Sequence, residues 1–163
     1  VAFLIQVFNS NPVHDVRPAE VRAAITESNY VTLCAQYGLS PALIPAAKAQ
    51  LQVLTAPSSA GAPFFTVSYG AARPVVVEFQ DWDSEDMGRI RPVPEIARPA
   101  LAHTAQVVAV SLEADQLQDL GLLLGYELAR WAAVQGQGIM RALDSRWYRL
   151  NAYKAFLPLE ATP

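Results

Sequence analysis

Pro63-Phe64-Phe65-Thr66-Val67-Ser68-Tyr69 and Pro74-Val75-Val76-Val77-Glu78-Phe79-Gln80 flank the short stretch Gly70-Ala71-Ala72-Arg73. Both flanks are rich in β-branched and aromatic residues, which pack well on a pleated surface, and the break between them carries turn chemistry. The pattern predicts a β-hairpin. Gln50-Leu51-Gln52-Val53-Leu54-Thr55 alternates in part and reads as a strand before it, across a Pro/Ser/Gly loop at residues 56–62. The three strands are expected to form an antiparallel meander.

On the N-terminal side, residues 2–8 are a short apolar run closed by Asn9-Ser10-Asn11-Pro12, a strand followed by a turn. Pro18 suits the first turn of a helix and Glu20 complements its N-terminal dipole. A helix is predicted to about residue 28, with Val21, Ala24, Ile25 and Ser28 on one face. Residues 30–37 read either as a strand, from Tyr30-Val31-Thr32-Leu33-Cys34, or as further helix capped by Gly38; the helix is preferred. Ser40-Pro41 opens another helix, which Pro45 shortens or distorts.

On the C-terminal side, residues 81–102 form an acidic connector with Pro92, Pro94 and Pro99, expected to hold little regular structure. Residues 76–120 carry nine acidic and three basic groups, between halves that are close to neutral. Thr104–Ser111 is a strand apolar enough to be central in a sheet. Asp115 with Gln118 resembles a capping box. A helix then runs to about Gln135 and stops at Gly136. Gly138–Ala142 and Arg146–Leu150 are closing strands, with Asp144-Ser145 as the turn. This order describes a single α+β domain over residues 1–163, an antiparallel sheet with helices packed on it. The layout echoes itself as two related β-α-β-β halves would.

The chain has 163 residues, 52% apolar and 17% charged, which excludes an intrinsically disordered chain. No run approaches the roughly 18 apolar residues that span a bilayer. A net charge of −3 does not favour a nucleic-acid surface. Cys34 is the lone cysteine, so an intramolecular disulfide and a thiolate zinc site are both excluded, and His14 and His103 show no ligand spacing. Neither metal nor cofactor is expected. The preference for arginine over lysine and the abundance of alanine read as a GC-rich bacterial genome. The N-terminus lacks the basic region and cleavage site of a signal peptide, so the expected location is the cytoplasm.

The helix after Asp115 carries the most information. Leu117, Leu120, Leu124, Leu128 and Trp131 fall within roughly one 80° arc, the stripe expected to face the sheet. Leu122, Tyr126, Ala129 and Ala133 fall on nearly the opposite side. Gly121 and Gly125 each cost about 1 kcal/mol against alanine, which packing must offset. Two apolar faces need two neighbours. The second is the first helix of the same chain or another subunit. Leu122, Tyr126, Ala129 and Ala133 are therefore the expected interface of a homodimer or of a complex with another protein.

Asp81-Trp82-Asp83-Ser84-Glu85-Asp86 concentrates four carboxylates. Without the glycine turn and distal glutamate of a calcium loop it reads as a solvated loop anchored by Trp82. His103 could serve a hydrolase or transferase with Cys34 or a connector carboxylate, although the apolar setting of Cys34 fits a core residue better. No nucleophile elbow, phosphate loop or dinucleotide fingerprint is present. Arg141, Arg146, Trp147, Tyr148, Arg149, Tyr153 and Lys154 mix cations with aromatics, as an RNA-contacting surface does. On a strand they leave neither face uniformly basic, and an edge strand with protective charges is the preferred reading.

Pro92-Val93-Pro94, then His103 to Val110, an acidic turn, the leucine-rich helix and Gly138-Ile139-Met140 resemble part of an uncharacterised bacterial domain-of-unknown-function family. The resemblance spans residues 92–142 and implies a stand-alone or accessory α+β domain, with no activity to carry over. The architecture is also similar to the helix-and-sheet fold of secretion-chaperone-like dimers. The function expected from these readings is a non-enzymatic protein-binding or accessory module that self-associates.

Overall fold

The computed structural model of the chain describes residues 2–28, 30–40, 42, 50–55, 64–70, 73–90 and 92–159. Strands β1 (Phe3–Asn9), β2 (Gln52–Thr55), β3 (Phe64–Ser68), β4 (Val75–Asp81), β5 (Gln106–Leu112), β6 (Ile139–Arg141), β7 (Trp147–Leu150) and β8 (Phe156–Pro158) make one sheet. Its order is β2-β3-β4-β5-β1-β6-β7-β8, antiparallel throughout. Helices α1 (Pro18–Thr26), α2 (Tyr30–Tyr37), α3 (Arg98–Ala102) and α4 (Leu120–Gly136) complete an α+β fold. The helix expected at Ser40-Pro41 and the loop at 56–62 fall outside the described residues, apart from Ser40 and Ala42.

The central pair is β1 against β5, in register from Phe3 opposite Leu112 to Asn9 opposite Gln106. Each central strand is followed by helix and then by a three-stranded meander. The first meander joins β5 through its last strand, β4, whereas the second joins β1 through its first strand, β6. The two halves thus match in layout but insert their meanders in opposite order.

Residues 30–37 are helical. Gly38 takes the left-handed conformation, φ +70°, and Leu39 N–H reaches back to the Cys34 carbonyl at 2.9 Å, closing the helix end. The start of the long helix differs from the expected one. Ala114–Gln118 is a 3₁₀ turn, and the capping box there is Glu113 with Gln116 rather than Asp115 with Gln118. Asp119 caps α4 itself, accepting from Gly121 N–H at 2.7 Å and from the Tyr69 hydroxyl at 3.0 Å. Gln116 is held elsewhere too, donating to the Arg73 carbonyl at 3.0 Å. The connector is more regular than expected. It contains 3₁₀ turns at Ser84–Arg89 and Glu95–Ala97 and then α3, with Pro94 and Pro99 at helix starts where a missing N–H costs nothing. The Arg146–Leu150 strand is not an edge strand, because β8 covers its outer side.

Strand alternation separates two cores. Ile5, Val7, Val108, Val110, Val77, Phe79, Phe65 and Val67 point to the face carrying α1, α2 and α4. Phe8, Val107 and Trp147 point to the other face, where Ile90, Ala97, Leu101 and Leu159 cover them.

The stripe expected to face the sheet packs against the main core, but the closest approach to the sheet lies beside it. A Cβ on Gly125 would lie 3.0 Å from Leu112 Cδ1 and 3.3 Å from Ile5 Cδ1, and one on Gly136 would run into Asn9. The line of closest approach of α4 to the sheet therefore runs through Gly125 and Gly136. Leucines flank it, and Trp131 lies edge-on to Phe65, with ring centroids 5.7 Å apart. Gly125 permits the backbone to approach β1 and β5 closely, while Gly121 makes room for the Tyr69 hydroxyl and Asp119. Gly136→Ala would gain about 1 kcal/mol of helix propensity but overpack a fully buried Asn9. A net loss of roughly 1–2 kcal/mol in a urea melt is expected.

Candidate functional site

Glu127 is the one acid on an otherwise apolar helix, and it is 6% exposed. Its Oε2 accepts from Ser28 Oγ at 2.5 Å, from Arg130 Nε at 3.0 Å and from the second Arg130 nitrogen, Nη2. That same nitrogen lies 3.3 Å from Ser28 Oγ. A carboxylate is costly to bury unless paired and hydrogen-bonded, and here both conditions are met. Ser28 stands between α1 and α2, so the cluster ties α4 to that junction. Tyr30 donates to the Ile25 carbonyl in the same layer. Burial pushes its hydroxyl well above the ordinary phenol range, and the charge of Glu127 adds to the shift.

Two clefts meet over this cluster. One, of about 280 Å³, has Tyr37, Tyr126, Tyr153 and Phe156 in its walls. The other, of about 350 Å³, runs past Ser28 and Trp131. Glu127, Arg130 and Lys154 line both. Tyr37 and Tyr126 stack nearly flat, 5.0 Å apart at 9°. Burial raises both hydroxyls, so each remains neutral at neutral pH. The turn that carries Lys154 is braced by hydrogen bonds. Asn151 Oδ1 accepts from Tyr153 N–H at 2.8 Å and Ala155 N–H at 3.0 Å, and Lys154 itself has φ +60°.

The residues expected to form an interface do not form an outer face. Ala129 and Ala133 are buried in the main core. Tyr126 is half-buried, stacked on Tyr37 and accepting from Leu143 N–H at 3.4 Å; Leu122 is also half-buried against the same core. The neighbours of α4 are the sheet and the chain's own α1 and α2. This is the intramolecular one of the two arrangements read from the sequence.

Cys34 and His103 are not brought together. Cys34 is buried in the helix-covered core, its thiol 3.8 Å from the Ser40 carbonyl. His103 is exposed at the end of α3, which packs on the opposite face, so the sheet lies between them. The acidic run caps its own turn. Asp83 accepts from Glu85 and Asp86 N–H, and Asp86 pairs with Arg89 at 3.1 Å. Among the described residues no cluster of three or more histidine, cysteine, aspartate or glutamate side chains has metal-binding geometry. Trp82 anchors this segment edge-on to Phe8, centroids 5.3 Å apart, and lines a cleft of about 460 Å³ with Gln6 and Arg141. Arg146 lies in the β6–β7 turn, 3.8 Å from Asp144. Trp147 is buried, while Arg149 is exposed. Arg146, Trp147 and Arg149 thus share no open face, whereas Tyr153 and Lys154 line the first cleft together.

One feature the sequence reading missed is the bare half of the second sheet face. Among the described residues, the connector packs on Phe8 of β1, Val107 of β5, Ile139 of β6 and Trp147 of β7 there and leaves Leu54, Phe64 and Leu4 exposed. Pairing sets Leu54, Thr66, Val76, Ser111 and Leu4 side by side in one row. Leu54 is 58% exposed and Leu4 45%; Phe64, in the adjacent row, is 36% exposed. Glu78 lies next to Phe64 in that row. Alternation within β2 and β3 carried this signal, since Leu54 and Phe64 sit opposite in phase to their buried neighbours.

Fold and site together define an α+β protein with one sheet face covered by helices and the other half covered by its connector. No helix among the described residues is long and apolar enough to cross a membrane. The chain matches no family model, no curated protein and no solved structure.

Proposed function

We propose that this chain is a protein-binding module, not an enzyme, and that its partner is a second copy of itself docked on the bare half of the sheet. The observation that carries this reading is the row Leu54, Thr66, Val76, Ser111, Leu4, with apolar residues at its ends and centre and hydroxyls between. It contains no charge. A two-fold axis along β4 sets Leu54 on Leu4 of the other copy and Thr66 on Ser111, so the patch is complementary to itself, as an isologous interface requires. Five strands about 4.8 Å apart and about five residues long offer roughly 400 Å². A standard interface uses about 800 Å² per partner, so the dimer is weak and depends on concentration.

Sedimentation equilibrium over a wide concentration range tests this. The mean mass should rise towards that of a dimer, and the exposed double substitution Leu54→Ser, Phe64→Ser should hold the chain as a monomer. Glu78 is drawn into the interface, where its charge loses water. Glu78→Gln should therefore shift association to lower concentration. A chain that stays monomeric near millimolar concentration, or dimers that survive the double substitution, would refute the reading.

A further inference from the structure

We propose that the cleft beside Arg130, on the helix-covered side of the sheet and apart from the docking row, binds a small aromatic monocarboxylate. Three observations meet there. First, Glu127 is buried and fixes the Arg130 guanidinium through Nε and Nη2, so the rest of that group is held in place at the cleft, where Arg130 remains 33% exposed. Holding a cation with a buried carboxylate presets its direction, which spares a ligand the cost of ordering it. Second, Lys154 stands across from it on a braced turn, in a left-handed conformation that a lysine rarely takes. Third, the walls are aromatic. Tyr153, 89% exposed, lines the cleft together with Phe156 and the stacked Tyr37 and Tyr126.

The charges select the ligand. Among the residues lining this cleft, Arg130 and Lys154 against Glu127 leave one positive charge in excess, which matches a monoanion, while Glu27 lies in the wall of the adjoining cleft. A volume of about 280 Å³ lies just under the usual range for ligand pockets, so a single ring with its carboxylate is the fitting size. The ring would lie against Tyr153 and Phe156, and the carboxylate would accept from Arg130 and Lys154 in a charge-assisted pair. Neutral hydroxyls on the half-buried Tyr37 and Tyr126 add no repulsion.

The test is a titration of the full chain with benzoate, followed by amide chemical shifts. Acetate supplies the charge without the ring, and benzyl alcohol the ring without the charge. Benzoate should saturate, with acetate and benzyl alcohol at least about ten-fold weaker. Lys154→Met and Tyr153→Ala change exposed side chains and should leave the fold intact, each weakening benzoate about ten-fold. The proposal is overturned by the lack of saturable benzoate binding, by either control equalling benzoate, or by binding indifferent to both substitutions.

Discussion

Arg130→Ala is expected to lower stability by about 3 kcal/mol, although the residue it removes is partly exposed. The cost comes from what is left behind. Glu127 keeps its burial and its bond from Ser28 but loses the cation that offsets its charge. Removing one partner of a buried ion pair costs about 3–5 kcal/mol, and the low end applies because water can enter where the exposed third of Arg130 stood. Replacing both partners, Glu127→Leu with Arg130→Met, should be close to neutral, since no charge remains buried. Ser28 then loses an acceptor but keeps its bond to the Ala24 carbonyl at 3.3 Å. Urea melts of the wild type, Arg130→Ala and the double substitution decide the matter. A double substitution that is less stable than Arg130→Ala would show that the pair contributes net stability and that the burial argument is wrong.

This cluster also marks the reach of sequence reading. Glu127 and Arg130 sit three residues apart in an apolar helix, and that anomaly was visible. Their hydroxyl partner, Ser28, is 99 residues away from Glu127, and nothing local pointed to it. Strands were legible because their evidence is local. Val75, Val77 and Phe79 alternate with Val76, Glu78 and Gln80, and the pleat turns that alternation directly into two faces. The closest contact of α4 with the sheet was missed for a physical reason. Hydropathy ranks leucine above glycine, but a helix lies closest to a sheet where its residues are smallest. Gly125 and Gly136 thus mark the contact, and Leu124 and Leu128 are buried beside them. The bare half-face was half legible. Phe64 and Leu54 fall out of phase with the buried residues, but whether a loop covers them is a matter of tertiary structure.

Trp147→Ala is expected to cost about 3–5 kcal/mol, the usual range for deleting a buried aromatic. From sequence, Trp147 read as a candidate for base stacking beside Arg146 and Arg149. In the structure its ring lies 5.2 Å from Phe8, almost wholly buried, and its indole N–H donates to the Pro92 carbonyl at 3.4 Å. Pro92 belongs to the connector, so this ring is what the segment from Trp82 to Ala102 packs upon. The second core holds few other large side chains: Phe8, Ile90, Leu101, Val107 and Leu159. Its loss should therefore be local before it is global. The Arg89–Ile90 bond becomes cleavable by trypsin under conditions where the α4 core, built from Ile5, Val110, Leu124 and Leu128, is still folded. Trp147→Phe keeps the ring contact and forfeits the hydrogen bond and part of the volume, so about 1–2 kcal/mol is expected. Limited proteolysis beside urea unfolding separates the two scales. Equal cleavage of wild type and Trp147→Ala in the connector, at a denaturant level where both remain folded, would mean that the segment is held by its own turns and caps. The bare half of the sheet would then owe its boundary to Asp83 and Asp86 rather than to Trp147.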